Sequence, residues 1–474
     1  MTLSRLTGDQ AIQSWYDQTT LHPIGLIAVF LLGVATLVVP RRYALAPMLI
    51  MACFISPAQR IVIASLDFNL LRIMVLFGWL RIAVFAETRR LAWKPIDTIV
   101  IVWAVIATVV VTLREATAAA FIYRLGLTFD TLGMYFLFRL LIQSWKDLEK
   151  LMLVAAIISI PVAAVFLIEL STGRNMFAVF GGVPEITVVR EGRLRCRGPF
   201  SHPILAGCFW AALMPLIGAL WWSGRRVRWL APVGLVASAI VVFSTASDTP
   251  ISAVIAGALA AAFFPLRRSM RWIRWSTVLG LVALQIVMTN PIWHLFARIQ
   301  LVHGSTGWYR FKMIDGFIRN FGEWWMLGTR DYSKLWAHEF DSITNQFVLE
   351  GVEGGLLTLA LFVAVLALGF QGVGRIGRLV RNSRSRQIMA WMLGASLFAH
   401  CASFLAVSYF GQIVMIFCLT LATIASLSPT GRRFATVRSR ARQRSSRASR
   451  PTFPQLTHPP IPARACQSVD GSAA

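Results

Sequence analysis

The stretch R-E-G-R-L-R-C-R-G-P-F-S-H-P-I-L, residues 190–205, separates two long apolar runs, and its place between them decides the fold. With its approach it carries Arg174, Arg190, Arg193, Arg195 and Arg197 against only two acids, Glu185 and Glu191. The run that follows opens as helices open: Ser201 is a good N-cap, and Pro203 suits a first turn whose N–H groups have no intrahelical partner. A helix starting there points its free N–H groups and the positive end of its dipole back at the arginines. That arrangement is an anion site suited to phosphate or diphosphate. Either backbone geometry makes three guanidinium groups converge. Arg193, Arg195 and Arg197 share a side when extended, and Arg190, Arg193 and Arg197 share a face when helical. The plainer alternative is a loop that binds lipid phosphates nonspecifically or pairs with Glu185 and Glu191.

Apolar runs of the same kind recur along the whole chain. Of its 474 residues, 57% are hydrophobic and 14% charged, and the apolar residues come in blocks rather than at amphipathic spacing. The fold class this implies is all-α: a polytopic integral membrane protein with about thirteen transmembrane helices, one more or fewer. The membrane domain is expected over residues 1–428, and residues 429–474, rich in Arg, Ser and Pro, as a disordered basic cytoplasmic tail. The formal charge of +25 does not call for nucleic acid, because the basic residues sit in short loops between apolar blocks and in the tail, where they set topology. The first 23 residues hold a single Arg, so no cleavable signal is expected and the first block stays as an anchor. Six scattered cysteines show neither CxxC nor metal spacing, so neither a structural disulfide nor a metal is expected.

Arg41 and Arg42 follow the first block, and Arg89, Arg90 and Lys94 follow the third; both clusters are expected on the cytoplasmic side. Alternation carries Lys146, Lys150 and the basic clusters at 225–228, 267–274 and 375–386 to the same side, with the C-terminus inside. It leaves two long segments outside, 171–200 and 292–341, whose arginines the positive-inside bias does not explain. Within the second, Trp308, Phe311, Ile314, Ile318 and Phe321 recur at helical spacing. This predicts an amphipathic helix over 305–321 lying on the membrane surface, with Trp324 and Trp325 at headgroup level. Arg310 sits on its polar face, where ordinary snorkelling competes with anion binding.

A polar run then leads into the next block and offers His338, Asp341, Asn345, Glu350 and Glu353. A carboxylate or imidazole here can take a proton from a sugar hydroxyl; helix capping and solvation of the helix mouth are the equal alternative. Inside the apolar blocks, Asp67 with Arg72, or Asp130 with Arg124, suggests structural ion pairs. His202 follows the N-cap and can simply complete the helix start.

Three motifs together carry a resemblance: R-L-R-C-R-G-P-F-S-H-P-I-L-A-G at 193–207, W-Y-R-F-K-M-I-D-G-F at 308–317 and D-S-I-T-N-Q-F-V-L-E-G-V-E-G-G-L at 341–356. In their order and loop placement the chain resembles the O-antigen ligase and Wzy-type polymerase superfamily, most of all its exopolysaccharide-polymerase members, over roughly residues 60–425. The resemblance implies a metal-independent glycosyltransferase, without cofactor, at the outer face of the bacterial inner membrane. It implies transfer with inversion, to a sugar hydroxyl, of glycan carried on undecaprenyl diphosphate. On that likeness Arg193, Arg195, Arg197 and Arg310 bind diphosphate, and His338 or Asp341 activates the acceptor. Asn345, Glu350, Glu353 and His202 position acceptor or glycan. The implied partners are the undecaprenyl-diphosphate-linked oligosaccharide, membrane lipids, and the chain-length regulator and flippase of the same pathway, with no nucleic acid.

Two departures stand out. Ligases of the superfamily show a Ser-Arg pair in the short outer turn after the eighth span, where this chain reads Ser244-Thr245-Ala246-Ser247-Asp248. They also show a His-Asn pair after the large loop, where this chain has Asp341 and Asn345 with His338 upstream. The competing functions are a ligase that moves a finished glycan to another lipid and, from a different class, a transporter or flippase for lipid-linked glycan.

Overall fold

A computed structural model describes residues 19–63, 66–87, 91–225, 227–298, 307–336, 339–340 and 342–429. The chain divides into two compact units, Met1–Ser428 and Pro429–Ala474, and the tail beyond residue 429 lies outside the described residues.

The first unit is helical. In chain order its helices of nine residues or more are α1 (Pro23–Val38), α2 (Ala46–Phe54), α3 (Leu70–Phe85), α4 (Pro95–Glu115), α5 (Ala118–Leu141), α6 (Trp145–Thr172), α7 (Pro203–Ala219), α8 (Leu230–Ser244), α9 (Asp248–Ala262), α10 (Met270–Val287), α11 (Gly307–Arg319), α12 (Gln346–Leu379), α13 (Arg384–Phe404) and α14 (Gln412–Leu427). Two small antiparallel hairpins join them, β1 (Arg60–Ile63) with β2 (Leu66–Asn69), and β3 (Val189–Arg190) with β4 (Arg193–Leu194).

Local chemistry places the helix ends. Asn69, Thr117, Ser144 and Asn345 each accept a backbone N–H of the first turn, and proline stands in the first turn of α1, α4 and α7, where no N–H is missed. Gly173 closes α6 at φ 71°, a left-handed cap that glycine adopts without steric cost.

The membrane class holds, but the expected count of thirteen spans does not. Among the described residues five helices are long and apolar enough to cross a membrane, or six if Met270–Val287 and Ile292–Arg298 form one span across their 92° bend; four more apolar helices run only 10–17 residues. Several apolar blocks spend part of their length in turns, so their helices reach 15 or 16 residues, about 24 Å at 1.5 Å per residue against a hydrocarbon core of about 30 Å. α5 is long enough but carries Arg124, Asp130 and Arg139.

Those charges are paired inside the bundle, as buried charges must be. Arg72 grips Asp130 through two bonds of 2.7 and 2.8 Å, Arg60 meets Asp67 at 3.0 Å, and Arg124 donates to Glu353. The side-chain pairs named from sequence, Asp67 with Arg72 and Asp130 with Arg124, are therefore replaced: Asp67 takes Arg60 from the facing strand, and Asp130 takes Arg72 from α3. Only the backbone oxygen of Asp67 accepts from Arg72.

The helix ends gather in two groups. At one, Arg139 forks onto fully buried Asp97 at 2.9 Å twice, Arg41 reaches Asp147 at 3.2 Å, and the Lys94 ammonium caps the Ser428 carbonyl at 2.6 Å. The other group holds the arginine stretch, the α8–α9 turn, the approach to α12 and the α13–α14 connection. Gln412 Nε2 donates to Pro199 O there at 3.1 Å, and Asn345 Nδ2 to Leu405 O at 3.1 Å.

A helix forms within the predicted span, α11, with Trp308 and Ile318 exposed along the expected stripe and Phe321 exposed just past its end. Its opposite side is not simply polar. Met313 and Phe317 are buried in a second small core with Trp336, Phe340, Val348 and Val352. Trp324 belongs to that core rather than to a headgroup layer, because its ring stacks on Phe317 at 3.9 Å and its N–H is used by the Phe317 carbonyl. α12 breaks at Gly355 (φ 72°), where a Cβ would lie 2.4 Å from Met326 O. Leu356 N donates to Trp325 O across the break, and Arg114 takes the freed Val352 and Glu353 carbonyls.

Candidate anion site at one end of the bundle

The arginine stretch adopts the extended alternative. β3 and β4 pair around a two-residue turn in which Glu191 and Gly192 both have positive φ, at 53° and 75°, the geometry a tight hairpin requires. The chain after it is held from beneath by Glu169, the last acid of α6, whose carboxylate is fully buried. One of its oxygens accepts from Thr187 Oγ1 at 3.0 Å and from Arg197 N at 3.1 Å, and the other from Gly198 N at 3.0 Å. Asn175 Nδ2 adds a bond of 2.7 Å to Gly198 O. The backbone N–H groups of Arg197 and Gly198 are thus taken by Glu169, and the guanidinium groups remain for other partners.

Arg195 and Arg310 reach the same turn. Arg195 Nη2 donates to Ser247 Oγ at 2.8 Å, and Arg310 Nη2, from α11, donates to Thr249 Oγ1 at 3.1 Å. The turn is buried, with Thr245, Ser247, Asp248 and Thr249 all nearly inaccessible and Ala246 at φ 44°. It is locked to the neighbouring chain by Cys196 N on Ser244 O at 3.0 Å. α7 packs tightly against it, since a Cβ on Gly207 would lie 2.5 Å from Pro250.

The site is short of negative charge. Burial pushes the Arg195 guanidinium below the usual arginine range and Arg190 adds to the effect; burial lowers Arg197 and Arg310 likewise, against the opposing pull of Glu169 on the first and of Asp248 on the second. His202 is pushed down to about 4, by burial first and then by Arg195, Arg197 and Arg190. Among the described residues the Nε groups of Arg195, Arg197 and Arg310 are buried without an acceptor, and both carboxylate oxygens of Asp248 without a donor. Each unmet donor costs about 1–3 kcal/mol, and an anion with several oxygens answers all three.

His202, not Ser201, caps α7: its Nδ1 accepts from Ile204 N at 3.2 Å. A neutral imidazole whose Nδ1 accepts carries its proton on Nε2, so His202 offers the site a donor and not a base. The Arg193 side chain is exposed and makes no bond among the described residues, and Arg197 contacts the Ser201 carbonyl at 3.5 Å.

Of the other expected residues, the described ones, Asn345, Glu350 and Glu353, bond elsewhere. His338 and Asp341 lie outside the described residues. Asn345 caps α12, accepting from Phe347 N and Val348 N. Glu350 takes Trp103 Nε1 at 2.9 Å and Gln346 Nε2 at 2.8 Å, while Glu353 pairs with Arg124. Sequence reading missed Glu169, Ser247, Asp248 and Thr249. The run Ser244–Thr249, five polar residues in six between two apolar blocks, was the available signal for the last three.

Fold and site together define an α-helical protein with helices able to cross a membrane and, at one end of its bundle, half-buried arginines meeting a buried polar turn. No family model matches the chain, and no curated protein does.

Proposed function

We propose that the chain is a glycosyltransferase of the polysaccharide-polymerase type. It transfers glycan from an undecaprenyl-diphosphate carrier to a sugar hydroxyl at the outer face of the bacterial inner membrane. The observation that supports this most is the meeting of Arg195 and Arg310 on two hydroxyls of one turn, with Arg197 and His202 beside them and three guanidinium Nε donors without an acceptor among the described residues. The arginine that the turn lacks is supplied twice over, from other segments.

The acceptor oxygen attacks the anomeric carbon from the side opposite the diphosphate. The carbon–oxygen bond to phosphate breaks, and the electron pair leaves on the lipid diphosphate. Charge accumulates on the departing phosphate oxygens, so donors already fixed there stabilise the transition state more than the ground state. Each charge-assisted bond contributes about 1.5–3 kcal/mol, so losing one arginine slows transfer by about 10- to 100-fold.

Membranes containing the chain, given lipid-linked repeat units, are expected to build a ladder of lengthening glycans. The ladder should fall by that factor in Arg195→Ala and Arg310→Ala at equal protein amounts. A single transfer product would mean a ligase; movement of lipid-linked glycan between leaflets without lengthening would mean a transporter. A ladder unchanged in both variants refutes the reading.

A further inference from the structure

Asp248 opens α9 inside the arginine site, and none of the roles above uses it. It is 5% exposed, and neither carboxylate oxygen has a hydrogen-bond partner among the described residues. An acid in the first turn of a helix normally repays the helix dipole, but dipole stabilisation works at the surface and does not require burying a carboxylate with both oxygens bare. The residues on either side of it hold the two arginines, Ser247 taking Arg195 and Thr249 taking Arg310. Arg310 feels the Asp248 charge, yet Asp248 forms no ion pair within 4.0 Å among the described residues. The carboxylate and the guanidinium are neighbours that do not close on each other, and an acceptor hydroxyl for the first with a donor anion for the second satisfies both. His202 cannot replace it, because its accepting nitrogen is spent on Ile204 N.

We propose that Asp248 is the catalytic base of the transfer, taking the acceptor hydroxyl's proton. The inference rests on the transferase reading above. As the acceptor oxygen forms its bond to the anomeric carbon, its proton passes to a carboxylate oxygen of Asp248, and the carbon–oxygen bond to the diphosphate breaks with its electron pair on the leaving group. In the resting protein Arg310 is bonded to Thr249. An incoming diphosphate that draws the Arg310 donors away opens the approach to Asp248, so acceptor activation follows donor binding.

The test pairs two readouts on Asp248→Asn in the full-length chain: binding of sugar-free undecaprenyl diphosphate to purified protein, and glycan made by membranes carrying the variant. Binding is expected to be unchanged or tighter, since a negative charge facing the arginines is gone. Glycan should fall by about 10²- to 10⁴-fold, the range for a lost general base. Asp248→Ala, folded as judged by the same binding assay, should regain part of its activity with added formate, which supplies the missing carboxylate. Normal glycan output from Asp248→Asn, or loss of undecaprenyl diphosphate binding in it, overturns the assignment, the latter by making Asp248 a support for the arginines. If instead Arg195→Ala and Arg310→Ala bind undecaprenyl diphosphate like the unaltered chain, it is the transferase reading that fails, whatever Asp248 does.

Discussion

Replacing Glu169 by Gln tests whether the arginine stretch is positioned from beneath. The change keeps the side chain's volume and removes one acceptor oxygen of two. The carboxylate meets three donors, Thr187 Oγ1 and Arg197 N on one oxygen and Gly198 N on the other. In either amide orientation, an NH₂ group faces a backbone N–H that Glu169 now satisfies. One charge-assisted bond is lost and a buried N–H left without a partner, which together cost about 2–4 kcal/mol. That cost falls on docking of the loop rather than on the bundle, because all three donors lie between residues 187 and 198. At about 1.4 kcal/mol per factor of ten, the docked loop becomes roughly 30- to 700-fold less favoured against its undocked form, and affinity drops by whatever fraction of the protein is left undocked. Undocking takes Arg195 off Ser247. Limited proteolysis of the purified protein should therefore show new cleavage between residues 174 and 195, undecaprenyl diphosphate binding should weaken, and the melting temperature of the whole should shift little. Unchanged proteolysis with unchanged binding refutes the claim that Glu169 holds the stretch.

Two further outcomes follow from the charges. Arg139→Ala strips fully buried Asp97 of its forked partner, leaving Tyr135 Oη and Lys94 N as its donors, and should cost about 3–5 kcal/mol in thermal unfolding of the solubilised protein; a loss under about 1 kcal/mol contradicts the pairing. His202 has its folded pKa lowered to about 4 from the ordinary 6.5, so the unfolded chain binds its proton first. Its contribution to stability is complete above pH 6.5 and is lost as pH falls from there toward 4; His202→Gln should flatten that part of the stability profile, and an unaltered profile contradicts the burial among arginines.

What the sequence discloses and what it hides divide along one physical line. Features set by a few adjacent residues are legible: the apolar blocks, the proline-led start of α7 at Pro203 and the helix around Arg310 all follow from local pattern. Features set by which distant segments meet are not. Asp130 has Arg124 close by in the same helix, yet it is Arg72, 58 residues away, that it pairs with, because a forked guanidinium can cover both carboxylate oxygens from a facing helix. The α8–α9 turn shows the consequence most clearly. By itself Ser244-Thr245-Ala246-Ser247-Asp248-Thr249 is a polar turn without a cation, and it remains so until Arg195 arrives from 52 residues before and Arg310 from 61 residues after. A site divided among three segments in this way has no spacing to recognise. What it does leave in the sequence is excess: arginines outside the basic loops that topology accounts for, and hydroxyls and a carboxylate crowded into a turn that needs none of them for turning. Such surplus, more than any motif, is the local trace of a long-range assembly, because burying it is tolerated only where each polar group has a partner waiting elsewhere in the fold or in the ligand.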